Sequence, residues 1–261
     1  MQKLGIIGGG NMGEAIIERV RPDYPVLVSE KDSSRQECLK KNLQLNPVAL
    51  SFLLKEADII LIAVKPQDME GLLKEISPAL KTSQLIISIA AGVTTLYIEK
   101  RLPKKTRVIR TMPNMPAMVG EGITAICAGK NLLPDDLTTA QKIFEKVGET
   151  VIVKEEAMDA VTAISGSGPA YVYLFMECLM KSAVQLGLDE KLAARLVVRT
   201  FLGGAVLIHQ KKADPAVLRA KVTSKGGTTQ AAMDVFMKSN IDDTIAQAVK
   251  AAKKRSQQLS H

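Results

Sequence analysis

Residues Gly8-Gly9-Gly10-Asn11-Met12-Gly13 fit the pattern G-x-G-x-x-G. The pattern alone is weak, but here it follows a short apolar run, Lys3 to Ile7, and opens a helical stretch. In that setting it binds a dinucleotide. Gly8 permits a tight turn, Gly10 lets the backbone approach a pyrophosphate, and Gly13 lets helix and strand pack closely. Gly9, Asn11 and Met12 complete the turn and supply amides. Glu30 lies 22 residues beyond Gly8, where an acidic side chain accepts hydrogen bonds from the adenosine ribose of NAD. Lys31, Ser33, Ser34 and Arg35 follow at once and suit the 2′-phosphate of NADP instead. The two signals conflict, and Glu30 also reads as a plain exposed strand end. Two further segments, Ala63-Val64-Lys65-Pro66 and Ala90-Ala91-Gly92, end apolar runs and should face the same crevice. Lys65 reads equally as a phosphate ligand or a surface lysine. The small residues at 90–92 leave room for a nicotinamide ring.

Other chemistries are poorly supplied. The 261 residues hold two histidines, His209 and His261, and three scattered cysteines, Cys38, Cys127 and Cys178. A zinc site needs three or four ligands at close spacing, and none is present, so no metal is expected. A nucleophile–histidine system would have to rest on His209, inside an apolar helical stretch. The hard chemistry therefore falls to a cofactor.

The elements that must position these residues alternate. Strand-like runs at 3–7, 26–29, 58–64, 85–89 and 107–111 are interleaved with helical patterns at 11–20, 32–43, 68–80 and 95–101. Residues 122–128, 135–147 and 150–153 add strand, helix and strand. This predicts an α/β fold, an N-terminal Rossmann doubly wound sheet over residues 1–154. From residue 155 to 261 the strand signal stops and an all-α domain is expected. Ala170 to Met180 is apolar nearly all round, broken by Glu177, and reads as a buried helix. So much apolar surface on about a hundred residues calls for a second chain, hence a dimer through the helical half.

Composition sets the remaining bounds. Apolar residues make up 46% and charged residues 24%, an ordinary globular balance. The net charge of +8 raises nucleic acid as a partner, but aromatic content is 3% and no nucleic-acid-binding signature appears. The field suits anionic small molecules instead. The compact basic cluster at Lys250 to Arg255 reads as a solvated helix end. Neither a signal peptide nor a membrane span is apparent. The expectations are a cytoplasmic protein with no nucleic-acid partner and no membrane.

Rarer strings point to a family. Thr111-Met-Pro-Asn-Met-Pro116, Asp159-Ala-Val-Thr-Ala-Ile-Ser-Gly-Ser-Gly-Pro-Ala-Tyr171 and Leu218-Arg-Ala-Lys-Val-Thr-Ser-Lys-Gly-Gly-Thr-Thr229 join the glycine turn and Ala63-Val-Lys-Pro66. Together they resemble pyrroline-5-carboxylate reductase over essentially the whole chain. The resemblance implies reduction of the C=N bond of 1-pyrroline-5-carboxylate by NADPH or NADH, the last step of proline biosynthesis; it favours NADPH, and Glu30 leaves the choice open. It also implies a homodimer through the C-terminal helices, and it admits a larger ring of dimers. In that family residues 8–13, 63–66 and 90–92 match cofactor segments. Gly226-Gly227-Thr228-Thr229 matches the turn that holds the substrate carboxylate, and Thr229 matches the threonine near the ring nitrogen. Glu155 matches an acidic residue near the substrate. Simpler readings stand beside these: Ser165 to Gly168 as a tight entry to a packed helix, Thr228 as an N-cap, Glu155 as a solvated carboxylate beside Glu156. Lys225 departs from the proline of many relatives and should loosen its turn.

Two other functions compete. A 3-hydroxyacid dehydrogenase shares the architecture and would want a catalytic lysine on the helix after the serine-glycine string, where Lys181 is available but far along. A non-enzymatic dinucleotide sensor or nucleic-acid-binding protein rests on the charge alone.

Overall fold

The computed structural model describes residues 1–259, so His261 lies outside the described residues. The chain divides into two compact units, Met1–Ser167 together with the chain from Ala251 on, and Gly168–Lys250.

The first unit is built on seven strands: β1 (Leu4–Ile7), β2 (Val26–Ser29), β3 (Ile59–Ile62), β4 (Leu85–Ser88), β5 (Arg107–Met112), β6 (Gly122–Ala128) and β7 (Gly148–Ile152). Their order is β2-β1-β3-β4-β5-β6-β7. The strands β1 to β5 are parallel, β6 runs antiparallel to β5, and β7 is parallel to β6. Every residue of β1, β3 and β4 is buried, as expected of parallel strands covered on both faces.

Alternate strand residues feed two cores. Leu4, Ile6, Ile59, Leu61, Leu85, Ile87 and Ile109 pack against α1 (Asn11–Val20), α2 (Ser33–Leu43) and α6 (Asp136–Phe144). Ile7, Ile60, Ile62, Ile86 and Val108 pack against α3 (Leu50–Glu56), α4 (Met69–Ile76) and α5 (Thr95–Glu99). Each fully buried Leu or Ile contributes about 1.5–3 kcal/mol, so the sheet is the rigid body of the unit. The helix α3 was not anticipated from sequence. Its close seat on β1 depends on Gly5, where a Cβ would come 2.6 Å from Leu53 Cδ2 and 2.8 Å from Ala57 Cβ. The stretch after β7 crosses the sheet face over β6. There Met158, on α7 (Met158–Val161), packs with Ala125 and Cys127. A π turn, Thr162–Gly166, completes it.

The second unit holds α8 (Gly168–Gln185), α9 (Glu190–Lys211), α10 (Pro215–Lys221) and α11 (Thr228–Lys238), and α12 (Ile241–Leu259) begins in it. Asp189 caps α9 by accepting from the Leu192 amide, and Asp214 caps α10 from the Ala216 amide ahead of Pro215. The helical unit bears on the expected second chain. The apolar helix α8 buries none of its residues within the chain, and Val172, Tyr173, Leu174, Phe175 and Leu179 are exposed. The apolar composition is real, and among the described residues none buries these side chains. The same holds for Leu196, Leu202 and Ile208 on α9. By length and composition α9 is also apolar enough to cross a membrane, with mean hydropathy 1.5. Arg195 and Arg199 interrupt it.

Candidate active site

The chain enters in β1, crosses to β2 on one side, and returns to β3 on the other. The crevice at this switch point, outside the carboxyl ends of β1 and β3, is where open α/β sheets bind ligands. The glycine turn fills it in the way its spacing predicts. Gly8 has φ +105°, and a Cβ there would lie 2.6 Å from the Ala63 carbonyl oxygen. A Cβ on Gly13 would run into the Gly8 carbonyl. At Gly10, by contrast, a Cβ would meet nothing within 4 Å. Gly10 is also the N-cap of α1, and no side chain caps that helix. The uncapped amides and the open approach at Gly10 make a cradle for an anionic group. A pyrophosphate fits this cradle.

Glu30 reaches back over the turn. Its Oε2 accepts the Gly9 N–H at 2.6 Å and its Oε1 accepts the Asp32 N–H at 2.8 Å. Arg35 holds the other side of the same peptide, donating to the Gly9 carbonyl from Nε at 3.0 Å and Nη2 at 2.8 Å. Its Nη2 also meets Glu14 Oε2 at 2.9 Å. Asp32 caps α2, accepting from the Ser34 amide and hydroxyl and the Arg35 amide. The Ser34 hydroxyl and then the Arg35 amide hold the Asp32 carboxyl below its ordinary range. Lys31 is exposed and lies 3.6 Å from Asp68. Two of the groups that suited a 2′-phosphate, Ser34 and Arg35, are therefore engaged within the protein.

The other strand ends are unequal. Ala63 and Val64 are half-buried and Lys65 is exposed, leading into a short turn at Pro66–Asp68. Ala90 is buried, its amide donating to Ser88 Oγ at 3.2 Å. Ala91 is half-buried. Gly92 is covered from within the unit. Its φ is +75°, and a Cβ there would lie 2.9 Å from Leu259 Cβ and 3.1 Å from the Ser256 carbonyl. Gly92 thus seats the last turn of α12, a contact that the spacing at 90–92 did not suggest.

Glu155 is half-buried and partnered at both oxygens. Its Oε1 pairs with Arg110 Nη1 at 2.5 Å, and its Oε2 accepts from the Thr95 hydroxyl at 2.6 Å and the Thr95 amide at 3.1 Å. Arg110 lies inside β5 with 2% of its side chain exposed. Its Nη2 stands 3.8 Å from Asp159 Oδ1, beyond hydrogen-bond reach. Asp159 in turn accepts from Ser256 Oγ on α12 at 2.7 Å. Burial works to raise the Glu155 carboxyl, but the hydrogen bonds from Thr95 and Arg110 and the arginine charge outweigh it and hold it low. The Cys127 thiol, 3.7 Å from Glu155, is pushed up to about 12 by burial and then by that carboxylate. Sequence reasoning missed Arg110, Thr95, Asp159 and Ser256 as one network. The available signal was a lone arginine at an inward position of an apolar strand, which needs an acidic partner.

The Gly226-to-Thr229 turn belongs to the second unit. Gly226 has φ +72°, and Gly227, not Thr228, is the N-cap of α11, with no side-chain cap bond. The Gly227 amide closes the turn onto the Ser224 carbonyl at 3.0 Å. Thr228 and Thr229 are the first helical residues, so the helix presents uncapped amides beside the Thr229 hydroxyl. Lys181, the lysine a hydroxyacid dehydrogenase would need, forms an exposed pair with Glu177 at 2.5 Å. Among the described residues no group of three or more His, Cys, Asp or Glu could hold a metal.

Residues 155–259 match the family model for pyrroline-5-carboxylate reductase dimerisation, and residues 3–92 match that for coenzyme F420-dependent NADP oxidoreductase. A pyrroline-5-carboxylate reductase of Synechocystis is 43% identical, covering 98% of each chain. The chain belongs to the pyrroline-5-carboxylate reductase family. A member from Haemophilus influenzae is 38% identical over 98% of this chain and 97% of its own. Among solved members, the Plasmodium falciparum reductase with NADP bound is 32% identical, with TM-score 0.89 over 100% of this chain and 98% of its own. The Streptococcus pyogenes enzyme is 27% identical, with TM-score 0.92 over 98% of each chain. Membership gives the apolar α8 and α9 a reason, since both lie within the dimerisation match.

Proposed function

We propose that the protein reduces 1-pyrroline-5-carboxylate to L-proline with NADPH or NADH. The observation that carries the reading is full-length membership of the family in a chain whose glycine crevice is intact. When bound, the dihydronicotinamide supplies the hydride. In this reading the turn at residues 8–13 and the α1 amides hold the pyrophosphate, Glu30 and Lys31 flank the adenosine ribose, and residues 63–66 and 90–91 line the ring side. Gly92 supports that wall from behind, through α12. The Gly226-Gly227-Thr228 turn receives the substrate carboxylate on the α11 amides, and the Thr229 hydroxyl hydrogen-bonds the ring nitrogen. The nitrogen takes up a proton as its neighbouring carbon receives the hydride, and an imine is basic enough to draw that proton from water. The scarcity of histidine is then no obstacle. Glu155 acts as a positioning residue, since its oxygens already hold Thr95 and Arg110.

The reading includes a homodimer through α8 and α9, a ring of such dimers, and a cytoplasmic site, consistent with three free thiols. The decisive test is oxidation of NADPH and NADH by purified protein with the imine as substrate. Imine-dependent oxidation with proline as product supports it, and no turnover with either cofactor overturns it. Light scattering checks the assembly: a monomer removes the dimer, and a bare dimer removes the ring.

A further inference from the structure

We infer that the end of β2 makes this chain select NADH over NADPH, with Glu30 as the specificity-determining residue. The inference rests on the dinucleotide reading of the glycine crevice and goes beyond it by choosing the cofactor.

The position comes first. Glu30 directly follows β2, and its Oε2 sits 2.6 Å from the amide of Gly9, the middle residue of Gly8-Gly9-Gly10. A carboxylate at that point borders the adenosine ribose of a dinucleotide on this fold. The second consideration is mobility. A 2′-phosphate could be admitted if Glu30 swung away, but two backbone amides, of Gly9 and Asp32, hold its two oxygens. The Glu30 carbonyl is fixed as well, accepting from Gln36 Nε2 at 2.6 Å. A carboxylate has about four acceptor positions, so two remain to take the hydroxyls of an unphosphorylated ribose.

The cations that could answer a phosphate are partly engaged already. Arg35 spends Nε and Nη2 on the Gly9 carbonyl and is paired with Glu14. Ser34 gives its hydroxyl to Asp32. Lys31 remains, but its side chain is 82% exposed and stands beside Asp68. Of the carboxylates around this point, Glu14 pairs with Arg35 and Asp68 stands beside Lys31, while Glu30 and Asp32 are held by backbone amides and the Ser34 hydroxyl. A phosphate dianion placed here meets a fixed carboxylate at short range, and a few ångströms of partly desolvated space make that repulsion worth roughly a tenfold preference or more.

The test uses direct binding and turnover. Nicotinamide fluorescence measures the affinity of the whole protein for NADH and for NADPH, and competition with 5′-AMP and with adenosine 2′,5′-bisphosphate isolates the ribose subsite. Steady-state kcat/KM with the imine gives the same ratio during turnover. NADH and 5′-AMP should be favoured by roughly tenfold or more. Glu30→Gln keeps an acceptor for Gly9 and removes the charge, so the ratio should fall toward parity through tighter NADPH binding. Equal or tighter binding of NADPH by the unaltered protein overturns the inference. So does a Glu30→Gln ratio unchanged from the unaltered protein. If neither nucleotide binds, the dinucleotide reading itself fails. Binding without imine turnover removes the reductase reading and leaves the selectivity to stand or fall on the affinities. The measurement on unaltered protein decides the point even if the variant does not fold.

Discussion

Replacing Glu155 with alanine strands a guanidinium inside the sheet unit. Arg110 keeps 2% of its side chain exposed, and its nearest remaining carboxylate is Asp159, 3.8 Å from Nη2. Removing one partner of a buried pair costs about 3–5 kcal/mol. The Glu155 side chain is 29% exposed, so water enters the space it leaves, and Asp159 recovers part of the Coulomb energy. The expected loss is then about 2–4 kcal/mol. For a domain of this size each kcal/mol lowers Tm by about 2–4 °C, which gives a drop of roughly 4–16 °C. Glu155→Gln should fall between, because a single amide oxygen cannot accept from both Arg110 and Thr95 while its NH2 turns a donor toward one of them. Thermal unfolding followed by far-UV circular dichroism reads the change. The pH dependence has a definite sign. The folded carboxyl lies below its ordinary value of 4.5, so its contribution is fully present above that value and is lost as pH falls through the folded value. Glu155→Gln should flatten that acid limb. A Tm within about 2 °C of the unaltered protein, together with a selective rise in KM for the imine, would refute the positioning role and return Glu155 to the substrate.

Other outcomes follow from single contacts. Gly8→Ala should destabilise the fold by several kcal/mol, because φ +105° and the Ala63 carbonyl both oppose a Cβ; Gly10→Ala should leave Tm unchanged and weaken NADH binding at least tenfold, because its Cβ enters open space kept for ligand. Equal effects of the two on Tm would contradict the cradle. The Cys127 thiol, held at about 12, should resist iodoacetamide at pH 8 in the folded protein; peptide mapping that finds it alkylated would show that the network opens. Thr229→Val should lower kcat/KM for the imine by roughly 10–100-fold while NADH affinity stays within twofold. Loss of nucleotide binding would place Thr229 elsewhere.

The glycine turn and the strand ends were legible because their demands are local. A positive φ at Gly8 and a close approach at Gly13 are met only by glycine, and both lie in one short string. The helix α3 was not legible, because it is one short element with no side-chain cap, and its seat depends on Gly5, far away in sequence. The reversed direction of β6 is written in a distance and not in a composition. Nine residues, 113–121, join β5 to β6, too few for a parallel crossover. The exposure of α8 within one chain is in keeping with the second chain its composition called for. Apolar composition states that a face must be covered, not which chain covers it. The network around Arg110 joins residues 95, 110, 155, 159 and 256, and no local pattern links positions so far apart. The competition between Glu30 and Lys31 could not be settled from side-chain types, because what matters is which groups the fold has already used.

Reductase activity is read from cofactor oxidation by purified protein given 1-pyrroline-5-carboxylate, with L-proline quantified in the same sample. One proline should form for each NADH or NADPH oxidised, with no oxidation without the imine. Absence of proline with both cofactors, in a folded protein that still binds dinucleotide, would contradict the reductase reading.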